Sequence, residues 1–349
     1  MLVKLMIATA VMTLFLTGCN PAPATPSGAS SDGPVGQMQS VEVSFKGTGD
    51  VEMLGTVLVP AQTPAPFVIL FPGSGPTDRN GNQLPQIRTD LLKTIAGHLQ
   101  KQGIGSFRFD KRVTPKTVKQ AGVEMEDLPD WMSWANHRAD AIAAYKFIQK
   151  RSDSIDDRIA LIGHSEGGIQ TLSIASDLDP RAVVLLSTPG RPLDAILHEQ
   201  VVKALVRQDA PATVRDQYIA DLDRLIKEIK EKGETKNVPD GLKTLFNPMT
   251  DKFLHDLFKE DPVALAGALK CPTLVMNGEK DIQISPVDDA PALLAALEKR
   301  PGGKQKMVIV PGVSHNYKPV NDVDKDTGFE GAVPASMLDD LAAWLKENL

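Results

Sequence analysis

Ser165 stands in the segment Gly163-His164-Ser165-Glu166-Gly167, a Gly-x-Ser-x-Gly pattern. The apolar run Ile159–Ile162 leads into it and the small-residue segment Ile169–Ala175 leaves it, which predicts a strand, a sharp turn and a helix. A turn that tight tolerates almost no side chain on its flanks, hence Gly163 and Gly167. It would hold Ser165 Oγ clear of the backbone at a helix N-terminus, where developing negative charge is favoured. The chemistry such a serine could do is nucleophilic attack on an acyl carbon.

A serine hydroxyl is a poor nucleophile near neutral pH and needs a base, which in turn needs an orienting carboxylate. The chain has six histidines. His164 adjoins the serine, where a neighbour in the turn points elsewhere, and is expected to pack. His98 and His137 fall within predicted helices. His198 and His255 fall in a charged helical segment. His315 lies in the turn Pro311-Gly312-Val313-Ser314-His315, directly after the apolar run Met307–Val310. It is the expected general base. The carboxylate should follow the preceding strand, Thr273–Met276, which leads into Asn277-Gly278-Glu279-Lys280-Asp281. Asp281 is the expected acid and Glu279 its competitor. A tetrahedral oxyanion needs two backbone N–H donors. One is expected at Glu166, after the nucleophile. The other is expected at Ser74, with Gly75 as the alternative, in the loop Pro72-Gly73-Ser74-Gly75-Pro76-Thr77-Asp78-Arg79. That loop lacks both the Walker ending and the dinucleotide glycine spacing, so phosphate binding is disfavoured.

These residues need a scaffold that brings four strand ends together. Val41–Phe45 and Met53–Val59 read as a hairpin. Phe67–Phe71, Ile104–Phe109, Ile159–Gly163, Ala182–Leu186, Thr273–Met276 and Met307–Val310 read as further strands. Helices are expected at Leu91–Gln100, Trp131–Ile148, Pro291–Leu297 and Met337–Leu345. The continuous apolar character of Phe67–Phe71 marks a strand covered on both faces. The alternation of strand and helix predicts an α/β domain with a mostly parallel central sheet, whose site lies at the carboxyl ends of the strands. Residues 191–269 break the alternation. Ile219, Leu222, Ile226 and Ile229 recur at helical spacing, and Phe253, Leu254, Leu257 and Phe258 form a second stripe, so this segment is expected to be a helical cap inserted between core segments 40–190 and 270–349.

The amino terminus has a different character. Lys4 precedes an apolar run, Leu5–Leu16, too short to span a bilayer and suited to a signal peptide. Leu16-Thr17-Gly18-Cys19 resembles the bacterial lipobox. The expectation is therefore a leader at 1–18, a lipid-bearing Cys19, and a Pro/Ala/Ser/Gly-rich tether in 19–39 that holds the domain to the membrane. The second cysteine, Cys271, precedes Pro272 and an apolar run and is expected to be buried and structural. With Cys19 lipidated, no intramolecular disulfide is available. Composition is that of a globular protein, 42% hydrophobic and 23% charged, with formal net charge −6. No basic patch or zinc-finger spacing occurs, so nucleic acid is disfavoured as a partner.

From Val41 onward the chain resembles the α/β-hydrolases, in particular a bacterial group of esterases and serine-aminopeptidase-like proteins. The resemblance rests on Gly-Ser-Gly-Pro-x-Asp-Arg at Gly73–Arg79, Arg-x-Asp-Lys-Arg at Arg108–Arg112, Gly-His-Ser-x-Gly-Gly at Gly163–Gly168 and Gly-x-x-Asp-Ile-Gln at Gly278–Gln283. The order Ser165, Asp281, His315 is also that of this fold. Two departures are Val113, where the group commonly has glycine, and Pro72, where many α/β-hydrolases have a loop histidine. The resemblance implies an α/β-hydrolase fold and hydrolysis of short or medium acyl esters. It implies no metal and no organic cofactor.

Overall fold

In the computed structural model, odd and even residues of the central strands face different cores. Phe67, Ile69 and Phe71 join one cluster with Ile159, Leu161, Val183 and Leu185. Val68 and Leu70 join another with Ala160, Ile162, Val184 and Leu186. Both sets are buried because helices cover both faces, which is why these strands carry unbroken apolar runs. The structure describes residues 37–151, 155–301, 303–323 and 328–349. The expected leader at 1–18, Cys19 and the tether up to residue 36 lie outside the described residues.

In chain order the elements are β1 (Gln39–Lys46), β2 (Glu52–Val59), β3 (Ala65–Phe71), α1 (Leu91–Lys101), β4 (Gly105–Phe109), α2 (Pro115–Ala121), α3 (Leu128–Trp131), α4 (Trp134–Gln149), β5 (Ile155–His164), α5 (Glu166–Leu178) and β6 (Ala182–Leu186). After these come α6 (Leu193–Arg207), α7 (Ala212–Lys232), α8 (Asp251–Leu257), α9 (Pro262–Ala268), β7 (Thr273–Gly278), α10 (Asp289–Glu298), β8 (Gln305–Val310) and α11 (Ala335–Asn348). One sheet has the strand order β1-β2-β4-β3-β5-β6-β7-β8. Pairing is antiparallel at β1–β2 and β2–β4 and parallel from β4 to β8. This is the expected mostly parallel sheet. Helices α1 and α11 cover one face; α4, α5, α9 and α10 cover the other.

The helix expected over Trp131–Ile148 is interrupted. Trp131 ends α3, and Ser133 starts α4 afresh by accepting the Asn136 N–H at 3.4 Å. The segment between β6 and β7 holds α6 to α9. Leu222, Leu225 and Ile229 of α7 pack with Leu197, Val201 and Leu205 of α6 and with Phe253, Leu254, Leu257 and Phe258, forming a third apolar cluster. Its floor is Val113, Met132, Trp134 and Ile169. Ala266 of α9, by contrast, belongs to the main core.

The connection β3–α1–β4 runs to one side of β3, and the chain then returns to place β5 on the other side. The order of progression therefore reverses between β3 and β5. A crevice opens at the carboxyl ends of those two strands, where ligands of such sheets bind.

Candidate active site

Ser165 sits at this crevice, immediately after β5, with φ 56° and ψ −124°. A non-glycine residue in that region is strained, and such strain persists only where the surroundings enforce it. Three glycines do so. A Cβ on Gly163 would lie 2.2 Å from Gly167 O, one on Gly167 2.3 Å from Phe71 O, and one on Gly168 2.0 Å from Thr188 Oγ1. The turn, the end of β3 and the start of α5 are thus in direct backbone contact.

His315 and Asp281 meet at the neighbouring strand ends. His315 Nδ1 is 2.9 Å from Asp281 Oδ2, and both residues are buried. Asp281 Oδ1 accepts from the N–H groups of Gln283 at 2.8 Å and Ile284 at 2.9 Å. Each carboxylate oxygen therefore has its own task. Glu279 is engaged elsewhere, accepting the Gly312 N–H at 2.8 Å. The two loops are stitched together: Lys280 N–H donates to Val313 O at 2.9 Å, and a Cβ on Gly278 would lie 2.4 Å from Ser314 O. Tyr317, fully buried, anchors the histidine loop to β7 by donating its hydroxyl to Met276 O at 2.7 Å.

Ser165 and His315 line one pocket, with no hydrogen bond between them. Its other walls include Gly73, Ser74, Thr77, Gln83 and Asn316. A second pocket also reaches Ser165 and Ser74 but runs under the cap, between Leu193, Ile196 and Leu197 of α6 and Phe253, Leu254, Leu257 and Phe258. Its empty volume is about 650 Å³, open mouth included. Ser165 therefore stands between two compartments: one mixes Thr77, Gln83 and Asn316 with Ile87, Leu91 and Phe329, and the other, under the cap, is largely apolar.

The backbone N–H groups of Ser74 and Glu166 have no hydrogen-bond partner among the described residues. Gly73 brings the first of them to Ser165: a Cβ there would lie 3.4 Å from Ser165 Cβ. Its loop is clamped from several sides. Thr77 Oγ1 and Gln83 Nε2 donate to Ser74 O at 2.6 and 2.9 Å. Arg79 grips Asp110 with Nε at 3.1 Å and Nη2 at 2.7 Å.

Two residues gain roles that sequence reasoning missed. His164 does more than pack. Its Nε2–H donates to the His315 carbonyl at 3.0 Å, the rings lying 4.8 Å apart, and burial with the nearby His315 pushes its pKa down to about 3. It is a neutral strut under the histidine loop. Lys111, after β4, is buried with its ammonium 2.6 Å from Gly73 O and 3.3 Å from Glu166 Oε1. Burial lowers its pKa, and Glu166 opposes that shift. The charged residues crowded at the end of a buried strand, Arg108 to Arg112 with only Phe109 apolar among them, were the available signal. Cys271 is a buried free thiol, its pKa pushed up to about 11 by burial.

Strand order, turn and helical insertion define an α/β-hydrolase fold. The chain is 28% identical over 301 residues to the esterase EstD of Thermotoga maritima, a match covering 83% of this chain and 65% of that protein's length. Among solved structures, a thermostable carboxyl esterase of Bacillus coagulans superposes with a TM-score of 0.58 at 15% identity, over 89% of this chain and 99% of that one. Carboxyl esterase 2 of Tuber melanosporum gives 0.54 at 15% identity, over 93% and 89%. No protein-family model matches the chain.

Proposed function

We propose that this protein is a serine carboxylesterase working through Ser165, His315 and Asp281. The observation that carries the reading is the meeting, in one crevice, of a strained serine, a carboxylate-bound histidine and two unpartnered N–H groups. His315 Nε2 takes the Ser165 proton as Oγ attacks the ester carbon, and Asp281 stabilises the imidazolium formed. The Ser74 and Glu166 N–H groups receive the oxyanion. The intermediate collapses as His315 returns the proton to the leaving alcohol, and an acyl-serine remains. Water, deprotonated by His315, then releases the acid. The acyl chain lies in the apolar compartment beneath α6 and α8, and the alcohol in the mixed compartment beside Gln83 and Asn316. An aminopeptidase needs a free carboxylate to hold the substrate's α-ammonium. Among the described residues, Glu166 is the one acidic residue lining either compartment, and it is paired with Lys111. This favours esters.

The likeness to esterase EstD supports the same reading. We further propose that Cys19 carries lipid and tethers the domain at the cell envelope, on the strength of the Leu-Thr-Gly-Cys segment; no helix among the described residues is long and apolar enough to cross a membrane. The test of activity is hydrolysis of p-nitrophenyl esters beside aminoacyl anilides, with fluorophosphonate labelling. Ser165→Ala should abolish labelling and lower kcat by roughly 10⁴–10⁶. Anilide turnover exceeding ester turnover, or labelling that survives in Ser165→Ala, would overturn the proposal.

A further inference from the structure

We infer that Lys111 is a positioning residue that aims and strengthens both oxyanion donors. The inference rests on the esterase reading of this site. Gly73 C=O and Ser74 N–H are opposite ends of one peptide unit, and in a trans peptide they point opposite ways. The Lys111 ammonium, 2.6 Å from Gly73 O, therefore fixes the direction of the Ser74 N–H. A charged donor on that oxygen also draws electron density from the peptide and makes its N–H a better donor, a cooperative gain of roughly 10–30% per bond. On its other side the same ammonium holds the Glu166 carboxylate at 3.3 Å. Glu166 opens α5 and its own N–H is the second donor. One buried cation thus ties the loop after β3 to the turn after β5.

The next peptide, Ser74–Gly75, already has Thr77 and Gln83 on its carbonyl. Among the described residues, Lys111 is the one side chain that holds the peptide bearing the Ser74 N–H. Burying an ammonium is costly, and a buried ion pair is a weak source of stability beside a well-packed apolar side chain. Fixed geometry at the reacting centre is what the pair supplies here.

The test compares wild type, Lys111→Met, Lys111→Arg and Lys111→Met/Glu166→Gln on p-nitrophenyl butyrate, with the affinity of butylboronic acid, whose serine adduct is tetrahedral. Removing an oxyanion donor outright costs roughly 10²–10³ in kcat. Misaiming one should cost about 10–100-fold, with KM within about threefold and boronate affinity falling in step with kcat/KM. Lys111→Arg should recover part of the loss. The double variant leaves no unpaired buried carboxylate, so it carries the test if the single variant does not fold, and it should remain as slow. A folded Lys111→Met or double variant with wild-type kcat, a loss confined to KM, or unchanged boronate affinity overturns the inference. Recovery of kcat in the double variant does so too, because Lys111 would then only neutralise Glu166. A wild-type protein that neither cleaves esters nor takes a fluorophosphonate removes the esterase reading and this inference with it; an active wild type with an indifferent Lys111 removes the inference alone.

Discussion

Replacing Asp281 by asparagine changes one atom and leaves the shape. In the native arrangement Oδ1 takes two backbone N–H groups, from Gln283 and Ile284, and Oδ2 takes His315 Nδ1–H. Asparagine has one oxygen for both jobs. If it faces the two N–H groups, its NH₂ meets His315 Nδ1, which must then be the acceptor. The proton moves to Nε2, and the imidazole can no longer accept from Ser165. If the amide flips, the imidazole keeps its tautomer, but an NH₂ group confronts two buried N–H donors. Each unsatisfied donor costs about 1–3 kcal/mol, so the unflipped, inactive arrangement is preferred. The expected loss in kcat/KM is on the order of 10⁴, as for the same change in a serine-protease triad, or about 5.4 kcal/mol of transition-state stabilisation. The assay is ester hydrolysis at neutral pH, with thermal unfolding as the fold control. Glu279→Gln, which loses a charge but keeps an amide oxygen to accept the Gly312 N–H, should stay within about threefold of wild type. Activity of Asp281→Asn within tenfold of wild type refutes the reasoning, as does a larger loss from Glu279→Gln.

Leu193, half-buried on the wall of the apolar compartment, offers a test of acyl placement. Leu193→Trp should displace about two methylenes of a long acyl chain, each worth about 0.8 kcal/mol, and lower the octanoate-to-acetate ratio of kcat/KM roughly 15-fold; an unchanged ratio would put the acyl chain elsewhere. His164 and His137 are held neutral, their pKa values pushed down to about 3 by burial. A depressed histidine pKa means the unfolded chain binds the extra protons, so the stabilisation is whole above about pH 6.5 and drains as pH falls towards 3. Between pH 7 and pH 5 each should cost about 2 kcal/mol, seen as a lower denaturant midpoint. His137→Gln should show a smaller drop, and an equal drop would absolve that residue. Cys19→Ala should leave unprocessed, unlipidated precursor, whereas native protein with an unmodified mature N-terminus in mass spectrometry would remove the lipid anchor.

The sheet is legible in the sequence because a strand covered on both faces cannot hide: Phe67–Phe71 and Ala182–Leu186 are apolar at every position, and both are strands of the sheet. Asp281 and His315 are legible on the same grounds, since each lies in the loop that leaves an apolar strand. The short helix α2 was missed because Pro115–Ala121 is a single polar turn or two, with one buried residue, Thr117, and no apolar stripe to read. The packing of α9 on the main core was equally hidden. Its Ala266 is small, and nothing in the preceding cap sequence marks where the cap's own cluster ends. His164 was misjudged for another reason: its partner is a backbone carbonyl 151 residues away, and carbonyls leave no trace in a sequence.

The segment after β4 shows what the missed interactions have in common. Asp110, Lys111 and Arg112 are consecutive, buried and charged, and each reaches a different element. Asp110 holds Arg79 of the loop after β3, Lys111 holds Glu166 at the head of α5, and Arg112 holds Asp140 of α4 at 2.7 Å. A chain selected for stability alone would gain as much from apolar residues of similar volume, since desolvation takes back most of what buried ion pairs supply. Apolar packing, however, is non-directional and tolerates small slides between elements. Bidentate and charge-assisted contacts fix direction as well as distance. The charges of Asp110, Lys111 and Arg112 are spent where the Ser74 loop, the serine turn and the helix behind them must keep their relative positions. Catalysis by prearranged donors depends on that, because a displacement of about 1 Å can cost roughly a hundredfold in rate.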